Sequence, residues 1–148
     1  MFKPKKILVP TDFSHYSDKA LQKALDIAQE TEGQITLLHV ISQEFKECMS
    51  DYCFSADELE RLRKGLLESS EEYLKTQLGK ISSSQADKIT TAVRQGVPYE
   101  EILHYQSEND FDLIVIASHG RTGIAKYLMG SVAAKVVNGA KCEVLVVK

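Results

Sequence analysis

The segment LIVIASHGRTGIAKYLMGS, Leu113 to Ser131, decides how the whole chain is read. Its first five residues, Leu113 to Ala117, are an unbroken apolar run. Such a run suits a strand covered on both faces, as in a parallel sheet packed between helices. A turn follows, with Ser118, His119 and Gly120, then nine residues, then Gly130-Ser131 at the head of an apolar helical pattern. Gly120 and Gly123 permit positive φ and the close approach of a ligand. Gly130-Ser131 opens a helix whose free N–H groups favour an anion, and Ser131 adds a hydroxyl donor. The spacing is neither a Walker A loop nor the G-x-G-x-x-G fingerprint, so on spacing alone a phosphate cradle and an ordinary glycine-rich turn both stay open.

Outward from this segment, three more apolar runs read as strands: Ile7-Leu8-Val9, Ile35 to Val40, and Val144 to Val147. A weaker one is Lys88 to Arg94, where Ile89, Thr91 and Val93 alternate with Thr90 and Ala92. Helical patterns fill the intervals. Ala20, Leu21, Ala24, Leu25 and Ala28 recur at helical spacing behind Ser14, a good N-cap, and Gly33 is the stop signal. Leu59, Leu62, Leu66, Tyr73, Leu74 and Leu78 mark a long second helix that tolerates Gly65 and ends at Gly79. Pro98 opens a third helix carrying Ile102 and Leu103. Val132, Ala133, Val136 and Val137 mark the last, which stops at Gly139. The order βαβαβαβαβ predicts an α/β layer fold with right-handed crossovers, in one domain over residues 1–148. Residues 42–56 read as an irregular connection and 80–87 as a polar turn.

The chain has 148 residues, 43% hydrophobic and 26% charged, which excludes a disordered tail, a collagen-like fibre and a coiled-coil rod. Chains of this size bury roughly 68–70% of their unfolded surface without a metal or disulfide staple. Eighteen Lys and Arg against 21 Asp and Glu leave a net charge of −3. A duplex-binding footprint shows as a basic excess, so no nucleic-acid partner is expected. No apolar run approaches a membrane span, and no membrane partner is expected. Cys48, Cys53 and Cys142, an odd set without a signal-peptide pattern, point to a reducing cytoplasm. Cys48 and Cys53 read as ordinary thiols in a connecting segment, because no second ligand pair completes a metal set.

In open parallel sheets, ligands collect beyond the carboxyl ends of strands where the strand order reverses. That gives weight to Pro10, Thr11 and Asp12, to His39 and Val40, and to the glycine segment. If the first and fourth strands are neighbours, Asp12 and the glycine segment face one crevice. Asp12 can hold a metal through water, as single carboxylates do beside substrate phosphates. His119 reads either as a general base or as a residue that shapes its turn; the second is favoured, because no neighbouring carboxylate orients it. His39, between Leu38 and Val40, reads as a satisfied interior histidine. His15 and His104 lie in helical segments without a metal-type i, i+4 partner, and no zinc site is expected. Arg121 and Lys126 either neutralise a bound anion or are solvated surface charges.

Ala117-Ser-His-Gly120, nine residues, then Gly130-Ser131 resembles the signature G-x2-G-x9-G-[S/T] of the universal stress proteins. Pro10-Thr-Asp-Phe-Ser14, Leu37-Leu-His-Val40 and Val144-Leu-Val-Val147 resemble that family as well, in order and over nearly the whole chain. The resemblance implies an open five-stranded parallel sheet ordered 3-2-1-4-5 with helices on both faces, Rossmann-like and of the adenine nucleotide alpha hydrolase type. It implies binding of ATP or another adenine nucleotide, with Mg or Mn accompanying the triphosphate. Asp12, with Pro10 and Thr11, would then lie by the adenosine, and Val40 would supply backbone contact to adenine. Gly120, Gly130, Ser131 and Val132 would wrap ribose and phosphates, with Ala117, His119 and Arg121 in the same segment. The first glycine of the signature is Ala117 here, and its methyl is expected to press on the ribose side of the pocket. The resemblance also implies a homodimer through strand 143–147, whose exposed apolar edge invites pairing with a second copy. The expected role is a nucleotide-responsive stress regulator read by an unidentified protein partner. The alternatives are a slow ATPase using Asp12, a divalent ion and His119, or a dimeric interaction scaffold in which Ala117 has closed the pocket.

Overall fold

The computed structural model describes residues 1–43, 54–121 and 128–148. Strand β1 runs Lys6–Thr11, helix α1 His15–Thr31, β2 Gln34–Ser42, and α2 Ala56–Gly79. After a four-residue helix, α3 (Ser83–Ala86), come β3 (Ile89–Gly96), α4 (Pro98–Glu108), β4 (Leu113–Ala117), α5 (Ser131–Gly139) and β5 (Glu143–Val147). All strands are parallel, in the order β3-β2-β1-β4-β5. This is the 3-2-1-4-5 sheet that the family resemblance implies.

The central strands are apolar along most of their length because each is covered twice. One side of the sheet contributes Ile7, Val9, Ile35, Leu37, Leu113 and Val115 to a core with α1 and with Leu74 of α2. The other contributes Leu8, Leu38, Ile114 and Ile116 to a core with Ile102 of α4 and with Ala133 and Val136 of α5. Alternate residues of one strand therefore serve opposite layers.

Local rules set most boundaries. Ser14 caps α1 by accepting from the Ser17 N–H at 3.3 Å. Ser55 and Glu58 form a complete capping box at the head of α2. Pro98 stands at the first turn of α4, where its missing N–H costs nothing.

Four sequence readings need correction. The residue that ends α1 in the left-handed region is Glu32, φ 55°, and not Gly33. A Cβ on Gly33 would lie 2.9 Å from the Pro4 carbonyl oxygen, so that glycine is there for close approach. The polar turn 80–87 contains α3, and β3 extends to Gly96 because its pairing with β2 continues to Ser42↔Gly96. Val137 is 40% exposed, so it lies off the core face of α5. The readings of Cys48, Cys53, Gly123 and Lys126 lie outside the described residues, as does most of the connection 42–56.

One detail of register positions the site. β1 pairs with β2 for six residues, up to Thr11↔His39, but with β4 only at Ile7↔Leu113 and Leu8↔Ile114. Pro10, two residues on, lacks the N–H that would extend a ladder. The two central strands therefore part toward their carboxyl ends, with β1 leading to α1 on one face and β4 leading to α5 on the other.

Candidate functional site

A cavity of about 220 Å³ opens where β1 and β4 part. Pro10, Thr11 and Asp12 border it from β1, Leu38 and Val40 from β2, and Ile116, Ala117, Ser118, His119 and Gly120 from β4 and its turn. Gly130, Ser131, Val132 and Ala133 close it from the start of α5, and Pro98 and Ile102 from α4. Of the described residues that the family resemblance places at the site, all except Arg121 line this space. Its volume is below the roughly 300–1,000 Å³ common for pockets that bury a whole drug-sized ligand.

The cavity has two chemical ends. Leu38, Val40, Pro98, Ile102 and Ile116 make one end apolar. The other carries Asp12, Ser118, His119, Gly120 and the start of α5. No side chain caps α5, whose N-cap is Gly130. Among the described residues, the first N–H groups of this nine-residue helix thus have no capping side chain, an arrangement that suits an anion. Gly130 donates its N–H to the Ser118 carbonyl at 2.7 Å. A Cβ there would sit 3.2 Å from that same oxygen, so a side chain at this position would require the turn to open by a few tenths of an ångström.

Asp12 is held from three directions. One carboxylate oxygen accepts from the Ser14 N–H at 3.0 Å and from the Ser14 hydroxyl. The other accepts from the Arg121 N–H at 2.9 Å. The Arg121 Nε–H also donates to the Asp12 carbonyl at 2.8 Å, so Arg121 is clamped across the end of β1. Gly120 makes this possible: a Cβ on it would lie 2.8 Å from the Asp12 Oδ2. Positive φ is not the reason, because among described glycines only Gly96 has it. The sequence reading of Gly120 as a positive-φ residue is thus replaced by one of space for a carboxylate.

Below Asp12 lies a directed chain of hydroxyls. Ser17 spends its proton on the Ser14 carbonyl at 2.8 Å, so the Thr11 hydroxyl donates to Ser17 Oγ at 3.0 Å. Thr11 Oγ1 in turn accepts the Phe13 N–H at 3.1 Å. These bonds hold Phe13 at φ 64°, a conformation costing a non-glycine residue roughly 1–2 kcal/mol.

His39 is the satisfied interior histidine that the sequence suggests: its Nδ1 lies 2.8 Å from the Thr11 carbonyl oxygen. Burial lowers its pKa below the ordinary imidazole value, against the Thr11 bond, which raises it. His119 bonds through Nδ1 to the Ser118 hydroxyl at 2.8 Å, and its ring lies 5.8 Å from Tyr16. The His15 ring packs against Tyr16 in a tilted arrangement, centroids 3.9 Å apart. His104 does have an i+4 carboxylate, Glu108 Oε1 at 3.5 Å, which corrects the sequence reading. No group of three or more His, Cys, Asp or Glu able to hold a metal occurs among the described residues.

Ala117 behaves differently from expectation. It is 8% exposed and packs in the core on the α1 side, with Val115 and Val9. The cavity's apolar end is built by the opposite parity, Leu38 and Ile116. The methyl is thus a core group on the far face of β4, although the residue borders the cavity. Sequence reasoning missed Ser17, Leu38, Pro98, Ile102, Ile116 and Ala133 as lining residues; the alternation along β2 and β4 is the signal for Leu38 and Ile116.

A model of the universal stress protein family matches residues 3–148. Universal stress protein MJ0531 of Methanocaldococcus jannaschii is 35% identical over 146 residues, covering 97% of this chain and 82% of the relative. The solved structure of MJ0577, from the same organism, shares the fold at TM-score 0.83 and 28% identity, covering 99% of this chain and 97% of that one. A family protein from Arabidopsis thaliana, solved with AMP bound, shares the fold at TM-score 0.65 and 20% identity, with 98% and 92% covered. Sheet order, the turn after β4 and the family model agree: this chain belongs to the universal stress protein family.

Proposed function

We propose that the chain binds an adenine nucleotide, ATP foremost, in the cavity between β1 and β4, and that occupancy regulates a partner protein. One observation carries the reading: an uncapped helix N-terminus forms the polar end of a cavity whose other end is apolar. Phosphates suit the N–H groups of α5, with Gly130, Ser131 and Val132 as their seat. The base suits the end made by Val40, Pro98 and Ile102, where backbone groups supply polarity. The AMP-bound relative of the same fold supports a nucleotide of this class.

A divalent ion, Mg or Mn, would neutralise the triphosphate. Direct ligation by the Asp12 carboxylate would compete with its bonds from Ser14 and Arg121. In this reading the ion is carried by phosphate and water, and the chain's residues bind and orient the nucleotide. A second copy pairing along the exposed edge of β5 makes the homodimer, because β5 has a strand neighbour on one side only.

Thermal unfolding tests the reading. Ligand at one hundred times its Kd adds about 2.7 kcal/mol, which is roughly 5–11 °C in Tm for a chain of this length. Mg-ATP, ADP and AMP should each raise Tm, and inorganic phosphate alone should not. No shift with any adenine nucleotide overturns the proposal.

A further inference from the structure

The middle of the cavity has a chemistry of its own. In sheet order β1 stands between β2, which helps build the apolar end, and β4, whose turn helps build the polar end. Thr11 closes β1, and Ser17 reaches the same cavity from the first turn of α1, across the sheet from α4 and α5. Both are buried, Thr11 6% and Ser17 3% exposed. The Ser17 hydroxyl gives its proton to the Ser14 carbonyl at 2.8 Å and accepts from Thr11 at 3.0 Å. Thr11 Oγ1, its proton given to Ser17, accepts the Phe13 N–H at 3.1 Å. A hydroxyl has one proton and two lone pairs. Among the described residues, each oxygen therefore keeps one open lone pair and no proton. The ionised Asp12 carboxylate beside them is also an acceptor. The β1 side of the cavity accepts, and the start of α5 donates.

The geometry points to Thr11 and Ser17 as a specificity pair that accepts a hydroxyl proton from the ligand's sugar, so that the cavity takes ribonucleotides in preference to deoxyribonucleotides. The inference deepens the nucleotide reading above and rests on it. With phosphates at the head of α5 and the base among Val40, Pro98 and Ile102, the sugar between them lies against the end of β1. A ribose hydroxyl arrives there with a proton to give, and the pair meets it with acceptors alone. Ser17 sets that polarity. The Ser14 carbonyl fixes the Ser17 proton, and Ser17 Oγ in turn draws the Thr11 proton away from the ligand. Without the Ser17 oxygen, the Thr11 proton is free to turn into the cavity, where it opposes the proton of the sugar hydroxyl. Ser17 is thus a positioning residue for Thr11 as well as half of the pair. A site that is built to bind a hydroxyl rejects the analogue that lacks it, because its own polar groups are left unpaired.

Calorimetric titration of the full chain with ATP, 2′-deoxy-ATP and 3′-deoxy-ATP tests the inference. At least one deoxy analogue should bind roughly 3–10-fold more weakly than ATP, the range of one neutral hydrogen bond. At that position fluorine, which has no proton, should bind as weakly as the deoxy compound, and an amino group should restore the affinity. In Ser17→Ala the ratio of ATP to deoxy affinity should fall to within twofold of one. A merely structural Ser17 would weaken both ligands together and leave the ratio as it was, which overturns the inference. So does binding of ATP and both deoxy analogues within twofold of one another, or a fluoro analogue that binds like ATP. If Ser17→Ala does not fold, Thr11→Val, which keeps the side-chain shape, should lower the same ratio, and an unchanged ratio there overturns the inference. Failure of all these nucleotides to bind is a different result: it overturns the nucleotide reading, and the inference with it.

Discussion

Replacing Gly120 with alanine sets two effects of similar size against each other. At a position with ordinary φ, alanine reduces the freedom of the unfolded chain and stabilises by about 0.4–1 kcal/mol. Here the new methyl would stand 2.8 Å from the Asp12 Oδ2, against roughly 3.4 Å for an ordinary contact. The carboxylate must retreat by about 0.6 Å, which stretches the 2.9 Å bond from the Arg121 N–H beyond useful range. A charge-assisted bond is worth about 1.5–3 kcal/mol when dry, and this one is exposed, so about 1–2 kcal/mol is lost. The loss exceeds the gain, and Gly120→Ala should destabilise by about 0.5–1 kcal/mol. In an Asp12→Ala background the clash disappears and only the gain remains. The same substitution should then stabilise by about 0.4–1 kcal/mol. Urea unfolding of the four proteins of this cycle, without nucleotide and with m-values compared, measures both numbers. An equal effect of Gly120→Ala in the two backgrounds refutes the assignment of Gly120 as space for the Asp12 carboxylate.

Three further outcomes follow from the packing and caps. Leu74 is 1% exposed and is the residue by which α2 enters the core, so Leu74→Ala should cost about 2–5 kcal/mol in chemical denaturation. A cost under 1 kcal/mol would mean that α2 is not docked as described. Ser55→Ala removes one half of the capping box and should cost about 1 kcal/mol, read as increased amide exchange in the first turn of α2. The Glu58 carboxyl is held below its ordinary pKa, first by the Ser55 backbone bond and then by the Ser55 hydroxyl. Its contribution is present above the ordinary carboxylate range and disappears as pH falls through the lowered folded value; a first turn of α2 that exchanges no faster in acid would contradict this.

The strands were legible because β1, β2, β4 and β5 are apolar without alternation, and that pattern needs only nearest neighbours to read. The edge strand β3 was less so: its alternation thins after Val93, and its last residues are fixed by pairing with β2. Helix starts were clear at Ser14 and Pro98, where capping chemistry is local. The end of α1 was not, because the position of Gly33 is set by the carbonyl of Pro4, a contact from the segment before β1. The site divides in the same way. Asp12, Gly120, Gly130 and Ser131 follow strand ends and can be found from the chain alone. Pro98 and Ile102 enter from a helix on the far side of β2, so finding them needs the strand order. The Arg121 clamp spans 109 positions and has no local signal.

Ala117, Gly120 and Gly130 occupy the three small positions of one signature, yet each answers to a different constraint. Position 117 is bounded by the volume that α1 and β4 share, so size there trades against core residues such as Val9 and Val115. Position 120 is bounded by one carboxylate, and its tolerance depends on what stands at position 12. Position 130 is bounded by a backbone oxygen, which must give by a few tenths of an ångström to admit a methyl. A motif score that weighs the three letters alike therefore mixes a packing rule, a side-chain pairing rule and a backbone rule.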